Sequence, residues 1–154
     1  MGTCFTNYLS EMELEKFKHK IQITVRFSDL DAMGHVNNAT YLTYLEEARL
    51  SYYKDVLNMN VRDLEFNAVV ARIEIDYIHQ IKLGDKLEVY SRTSKIGNKS
   101  VDLEHVIAIV NNEHKKIAAK ALTKLVSYDY KKNESTVIPQ AIKNIIEDFE
   151  KKSQ

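Results

Sequence analysis

The spacing of apolar positions changes repeatedly along the chain, and each change marks an element. Ile21, Ile23, Val25 and Phe27 alternate with Gln22, Thr24 and Arg26, the period expected of a half-buried strand. From Tyr41 the period lengthens, and Tyr41, Leu45, Ala48 and Tyr52 share one face of a helix. That helix is predicted to end near Leu57, with Asn58 as a left-handed cap. A polar connection holding Asn60, Arg62 and Asp63 follows. Val69 to Ile78 alternates again, with Ala71, Ile73, Ile75 and Tyr77 on one face and Arg72, Glu74 and Asp76 on the other. Leu83, Gly84 and Asp85 form a turn. Leu87 to Ile96 is the next strand, Gly97 and Asn98 a hairpin turn, and Val101 to Val110 the strand after it. Asn111 and Asn112 turn the chain, Ile117 to Tyr128 completes a five-stranded antiparallel sheet, and Pro139 introduces a short amphipathic helix from about Ala141 to Glu150. The class is α+β, with one long helix against one sheet.

Between the first strand and the long helix lies a polar loop carrying Asp31, Gly34, His35, Asn37 and Asn38. Asn37 or Asn38 caps the helix, since an amide oxygen accepts from a first-turn N–H. The loop therefore sets Asp31 and His35 beside unsatisfied backbone donors at the positive end of a helix dipole. Such donors suit an oxyanion developing on a carbonyl, with Asp31 as the neighbouring base or nucleophile. Gly34 allows a backbone conformation closed to bulkier residues.

The run RFSDLDAMGHVNNATYLTYLEEAR (26–49) resembles the 4-hydroxybenzoyl-CoA thioesterase and acyl-CoA thioester hydrolase branch of the hotdog fold, and DYIHQIKLGDKLEV (76–89) resembles that family's next recurring segment. The resemblance extends over roughly residues 19–130. It implies a sheet wrapped around the long central helix and an enzyme that cleaves an acyl-CoA to a carboxylic acid and free coenzyme A. Asp31 would be the general base or nucleophile, the backbone N–H of Asn38 the oxyanion donor, and His35 the group orienting Asp31 or a water. Asn37 and Tyr41 would line the substrate site. Lys99 and Ser100 match the hairpin position where the family holds the nucleotide phosphates, with Lys95 and Lys82 as helpers. No metal and no cofactor are implied, because coenzyme A enters as part of the substrate. The resemblance also implies a homodimer or homotetramer, each site combining Asp31 of one copy with the strand around Val69 to Tyr77 of another. One departure is Gln80, where many relatives carry proline.

Composition permits this reading. The 154 residues suffice for one core but not two. Lys plus Arg equals Asp plus Glu at 22 each, so no global field attracts nucleic acid or an anionic membrane. The single cysteine, Cys4, can form neither an internal disulfide nor, with another cysteine, a zinc site, which fits a reducing cytoplasm. No apolar run is long enough for a membrane span. Residues 1–11 are expected to be a disordered extension, with Met12 as an alternative start, and 12–154 a single domain. The opening MGTCFT also meets the loose myristoylation pattern through Gly2 and Thr6, with Cys4 nearby for a second acyl chain.

Other residues carry competing readings. Asp29 reads as structural, Glu46 as a partner of Arg49 at helical spacing, Glu47 as solvated, and His105, on the apolar face of Val101, Leu103, Ile107 and Ile109, as a core or interface histidine. The five histidines form no close pair on one helix face, and no Gly-x-Ser-x-Gly elbow is present. Two alternatives stay open: a noncatalytic acyl-CoA-binding module, which would dispense with the carboxylate, and a hydroxyacyl-thioester dehydratase, which would need a further acid–base pair.

Overall fold

The structure, a computed structural model, describes residues 11–58, 67–112 and 114–151. The elements in chain order are α1 (Glu11–Leu14), β1 (His19–Thr24), a 3-10 turn (Phe27–Asp29), α2 (Asn38–Leu57), β2 (Ala68–Tyr77), β3 (Lys86–Ile96), β4 (Ser100–Asn111), β5 (His114–Asp129), β6 (Glu134–Ser135) and α3 (Gln140–Lys151). The long strands form one antiparallel sheet in the order β1-β3-β4-β5-β2, and the short β6 pairs with β5. This is the hotdog arrangement, with α2 as its central helix.

The core lies where the predicted faces meet. Tyr41, Tyr44, Leu45 and Ala48 of α2 pack on Ile23, Leu87, Val89, Ile107, Ala119 and Ala121 of the sheet. A second cluster joins Tyr52, Val56 and Leu57 to Leu103, Leu125 and the α3 residue Ile146. Each large aliphatic side chain so buried contributes about 1.5–3 kcal/mol. Asn58 closes α2 with φ 51° and ψ 35°, the left-handed cap read from the sequence.

Several expectations need correction. Phe27 does not continue the β1 alternation: the strand stops at Thr24, and Phe27 is 80% exposed in the 3-10 turn. Ala71 is not on the inner face, because the β2–β5 register shifts between Val70 and Arg72 and leaves it as an exposed bulge residue. A short helix precedes β1, and Leu14 with Phe17 covers Tyr90, Val106 and Ala108 on the outer side of the sheet. The Glu46–Arg49 ion pair is absent among the described residues, and Glu46 is exposed. The MGTCFT motif, the 59–66 connection with Asn60, Arg62 and Asp63, and all but the last residue of the expected extension lie outside the described residues; that last residue, Glu11, begins α1. No helix among the described residues is long and apolar enough to cross a membrane.

Candidate active site

The loop before α2 is a small closed hairpin anchored at both ends in the core. Leu30 and Val36 form an antiparallel bridge, and His35 bridges to Lys82. Buried Val36 donates its N–H to the carbonyl of fully buried Ile81 at 2.8 Å. Ile81 is delivered there by a bulge in β5: the Ala118 carbonyl accepts from both Ile78 N–H (2.8 Å) and His79 N–H (3.0 Å), turning the chain out of β2. Inside the loop, Asp31 N–H donates to His35 O at 2.8 Å and Gly34 N–H to Asp31 O at 3.1 Å. Gly34 has φ 86°, the turn conformation that favours glycine.

This turn holds the Asp31 carboxylate at the surface. Its Oδ1 accepts from Met33 N–H at 2.9 Å and lies 3.9 Å from His35 Nδ1, beyond hydrogen-bond length. Both side chains are about one-third to one-quarter exposed, at 31% and 26%. Oδ2 has no protein partner among the described residues.

Asp29, two residues earlier, has the opposite environment. It is buried and accepts from Tyr44 OH (2.8 Å), Arg26 N–H (2.9 Å) and the Arg26 guanidinium (3.3 Å). Burial alone would raise its pKa; the Arg26 backbone bond, the Tyr44 hydroxyl and the Arg26 charge together hold it below the usual value. Its carboxylate is consumed in joining the loop to α2.

The helix start resolves which asparagine caps. Asn37 is the cap: its Oδ1 accepts from Ala39 N–H and its carbonyl from Thr40 N–H, both at 2.9 Å. Asn37 N–H is itself bonded to Asp29 O at 2.9 Å. Asn38 N–H is left without a partner among the described residues, at the positive end of a 20-residue helix. That N–H is therefore open to an acceptor approaching the helix start.

The remaining candidates are placed differently. Tyr41 is a core residue, 3% exposed, whose hydroxyl donates to His79 O at 3.3 Å. Lys99 and Ser100 sit at the β3–β4 hairpin, where Lys99 Nζ donates to Ser135 Oγ (3.4 Å) and Ser127 N–H to Lys99 O (2.8 Å). His35, in the same turn as Asp31, bridges Lys82 ahead of β3, so within one chain the 11-residue strand, roughly 35 Å when extended, runs between that turn and the hairpin. Lys82 is at the Asp31 end and Lys95 near the other. Among the described residues no three His, Cys, Asp or Glu are grouped so as to hold a metal ion. Tyr77, which periodicity placed only on a face, donates its hydroxyl to Asn38 O at 3.0 Å; no sequence signal marks that contact.

The chain matches known proteins along most of its length. It is 39% identical over 85 residues to the uncharacterized protein YsmA of Bacillus subtilis, covering 55% of this chain and 57% of YsmA. It is 32% identical over 133 residues to the long-chain acyl-CoA thioesterase FadM of Escherichia coli, covering 84% of this chain and 98% of FadM. The crystal structure of a Thermus thermophilus thioesterase complexed with coenzyme A and zinc superposes with a TM-score of 0.75 at 37% identity, covering 88% of this chain and 97% of that one. A family model spans residues 25–146, from the end of β1 into α3, and by that match the chain belongs to the Thioesterase-like superfamily.

Proposed function

We propose that the protein is an acyl-CoA thioesterase, hydrolysing an acyl-CoA to a carboxylic acid and free coenzyme A. The observation that carries this reading is the unpaired Asn38 N–H at the start of α2, preceded in the same loop by a one-third exposed Asp31 carboxylate with one oxygen unpaired among the described residues. The thioester carbonyl accepts the Asn38 N–H, and negative charge growing on its oxygen strengthens that bond. Asp31 either takes a proton from the attacking water or adds to the carbonyl carbon itself; collapse of the tetrahedral adduct expels the coenzyme A thiolate. His35, held by the same turn, orients Asp31 or the water. The named activities of FadM and the coenzyme A complex of the Thermus relative favour this substrate class.

The working unit is a homo-oligomer. β2 is an edge strand with half-exposed Val70 (43%) and Tyr77 (45%), and Phe27, Met33 and Leu83 are exposed around the Asp31 loop. Exposed edges and apolar side chains of this kind are ordinarily covered. A second copy along β2 would cover them, and a further copy would supply the Lys99–Ser100 hairpin that lies too far from Asp31 in its own chain to share a nucleotide with it.

Thiol release from a panel of acyl-CoAs tests the reading, with wild type beside Asp31→Asn. Turnover should fall by about 100-fold or more in the variant. Unchanged hydrolysis in Asp31→Asn would sink the mechanism, and tight acyl-CoA binding without any thiol release would favour a binding module.

A further inference from the structure

Three polar side chains lie on neighbouring strands on the helix-facing side of the sheet: Ser91 of β3, His105 of β4 and Thr123 of β5. Ser91 is directly opposite His105, which is opposite Ala121, so Thr123 is the diagonal neighbour of His105. All three are buried, with exposures of 0%, 1% and 0%. The Ser91 hydroxyl lies 2.9 Å from His105 Nδ1. His105 Nε2 and Thr123 Oγ1 have no hydrogen-bond partner among the described residues. Buried polar atoms are almost always paired, and leaving one unpaired is costly. Both atoms lie among Leu103, Ile107 and Ala121, on diagonal neighbours of adjacent strands, and call for a polar partner that the described residues do not supply.

The direction of approach follows from the ring. Its nitrogens diverge, so with Nδ1 engaged toward β3, Nε2 faces away from that strand. Beyond Ala121 and Thr123 come Ile75 and Ile73 of β2, which are opposite them in register and only partly buried. The apolar layer is thus only partly covered on the β2 side. The same strand ends at Tyr77, whose hydroxyl holds the Asn38 carbonyl. Ile75 and Ile73 stand two and four residues from Tyr77, roughly 7 and 13 Å along the strand.

We propose that His105 and Thr123 form a hydroxyl-recognition site for the acyl group, selecting acyl chains that carry a mid-chain hydroxyl. The inference rests on the thioesterase reading above. The separation from the helix start calls for a chain that reaches well beyond the thioester, not a short acyl group. Burial, with the Arg49 charge nearby, lowers the His105 pKa to about 3, so the imidazole is neutral. A neutral ring offers at Nε2 one donor or one acceptor, according to tautomer, and the threonine hydroxyl offers either. A ligand hydroxyl both donates and accepts, and so pairs with the site in either tautomer.

The test uses oleoyl-CoA and ricinoleoyl-CoA, which differ by one mid-chain hydroxyl. The wild type should favour ricinoleoyl-CoA in kcat/KM on the order of tenfold or more, because the unsubstituted chain leaves the buried pair unmet. Thr123→Val, which keeps the side-chain shape, and His105→Leu should each bring that ratio close to one. Equal kcat/KM in the wild type, or a preference that survives either substitution, overturns the proposal and leaves a buried water as the partner. Should neither thioester be hydrolysed, it is the thioesterase reading that fails. The hydroxyl site is then judged on the calorimetric Kd ratio for the same two ligands in the same three proteins, by the same criteria.

Discussion

Tyr77 at the end of β2 donates its hydroxyl to the carbonyl of Asn38 across 3.0 Å, and its ring meets Tyr41 edge-on at 4.9 Å. The edge strand is thus tied to the first turn of the central helix, the turn that presents the Asn38 N–H. Tyr77→Phe keeps the ring contact and removes the hydrogen bond, worth about 1 kcal/mol. We expect kcat for thioester hydrolysis to fall several-fold with little change in KM or Tm. An unchanged kcat would mean that the helix start is rigid without Tyr77.

The Asp29–Tyr44 bond should act on stability. Removing the carboxylate leaves a buried hydroxyl without an acceptor and frees the Arg26 N–H. Asp29→Ala is expected to lose about 2–4 kcal/mol in urea denaturation. A Tyr44→Phe background should make the Asp29→Ala loss smaller, because the orphaned hydroxyl is then absent. Since the Asp29 pKa is lowered in the folded state, its contribution is present above the unfolded value of 3.8 and fades as pH falls below it. Equal losses in both backgrounds would show that the bond couples nothing.

The structural part of Asp29 and the place of Asp31 in a polar loop ahead of the helix were legible in sequence, because the glycine, histidine and asparagines follow Asp31 and the helix follows them. Long elements were legible for a similar reason: each has one face on α2, which imposes a period that side-chain identity reports. What escaped lacks such a period. α1 is four residues long and β6 two. The Ala71 bulge inserts a residue without altering the apolar pattern on either side. The hairpin holding Lys99 and Ser100 was correctly located along the chain, but its separation from Asp31 is set by strand length and direction, which local pattern does not encode. Contacts such as Tyr77 to Asn38 join positions 39 residues apart, and a single sequence gives no sign of them.

Glu88 should make stability acid-sensitive. It is buried on the outer face, accepting from Lys20 at 2.9 Å and from Tyr90, with Lys115 at 3.0 Å. Burial works to raise its pKa, but the Tyr90, Lys20 and Lys115 bonds prevail and bring it to about 2, from 4.5. The stabilisation is therefore complete above about pH 4.5 and is lost as pH falls toward 2. Glu88→Gln is expected to be less stable than wild type by on the order of 2 kcal/mol at neutral pH, the gap closing in acid. Chemical denaturation across that range checks this, and a gap independent of pH would assign the loss to packing instead.

One carboxylate of α3 reaches the edge of the sheet. β1 begins at His19, opposite Ser91, so Thr93 lies past the last residue of β3 paired on that side. Glu150 Oε1 supplies the missing acceptor, taking Thr93 N–H at 2.8 Å and the hydroxyl of fully buried Tyr52 at 2.7 Å. Lys18 Nζ caps the same helix end, donating to Phe149 O at 2.6 Å and to Glu150 O. Glu150→Ala removes both acceptor bonds and should cost about 1–3 kcal/mol. Glu150→Gln keeps an acceptor oxygen and should recover most of that loss. Because Ile142, Ile146 and Phe149 pack in the cluster around Tyr52, loosening α3 exposes the rear of α2. Amide exchange should therefore quicken in the last turns of α2 in Glu150→Ala while the N-terminal half, tied by Asp29 and Tyr77, keeps its wild-type rates. Uniform acceleration along α2 would show that the helix responds as one unit and that the two anchors are not independent.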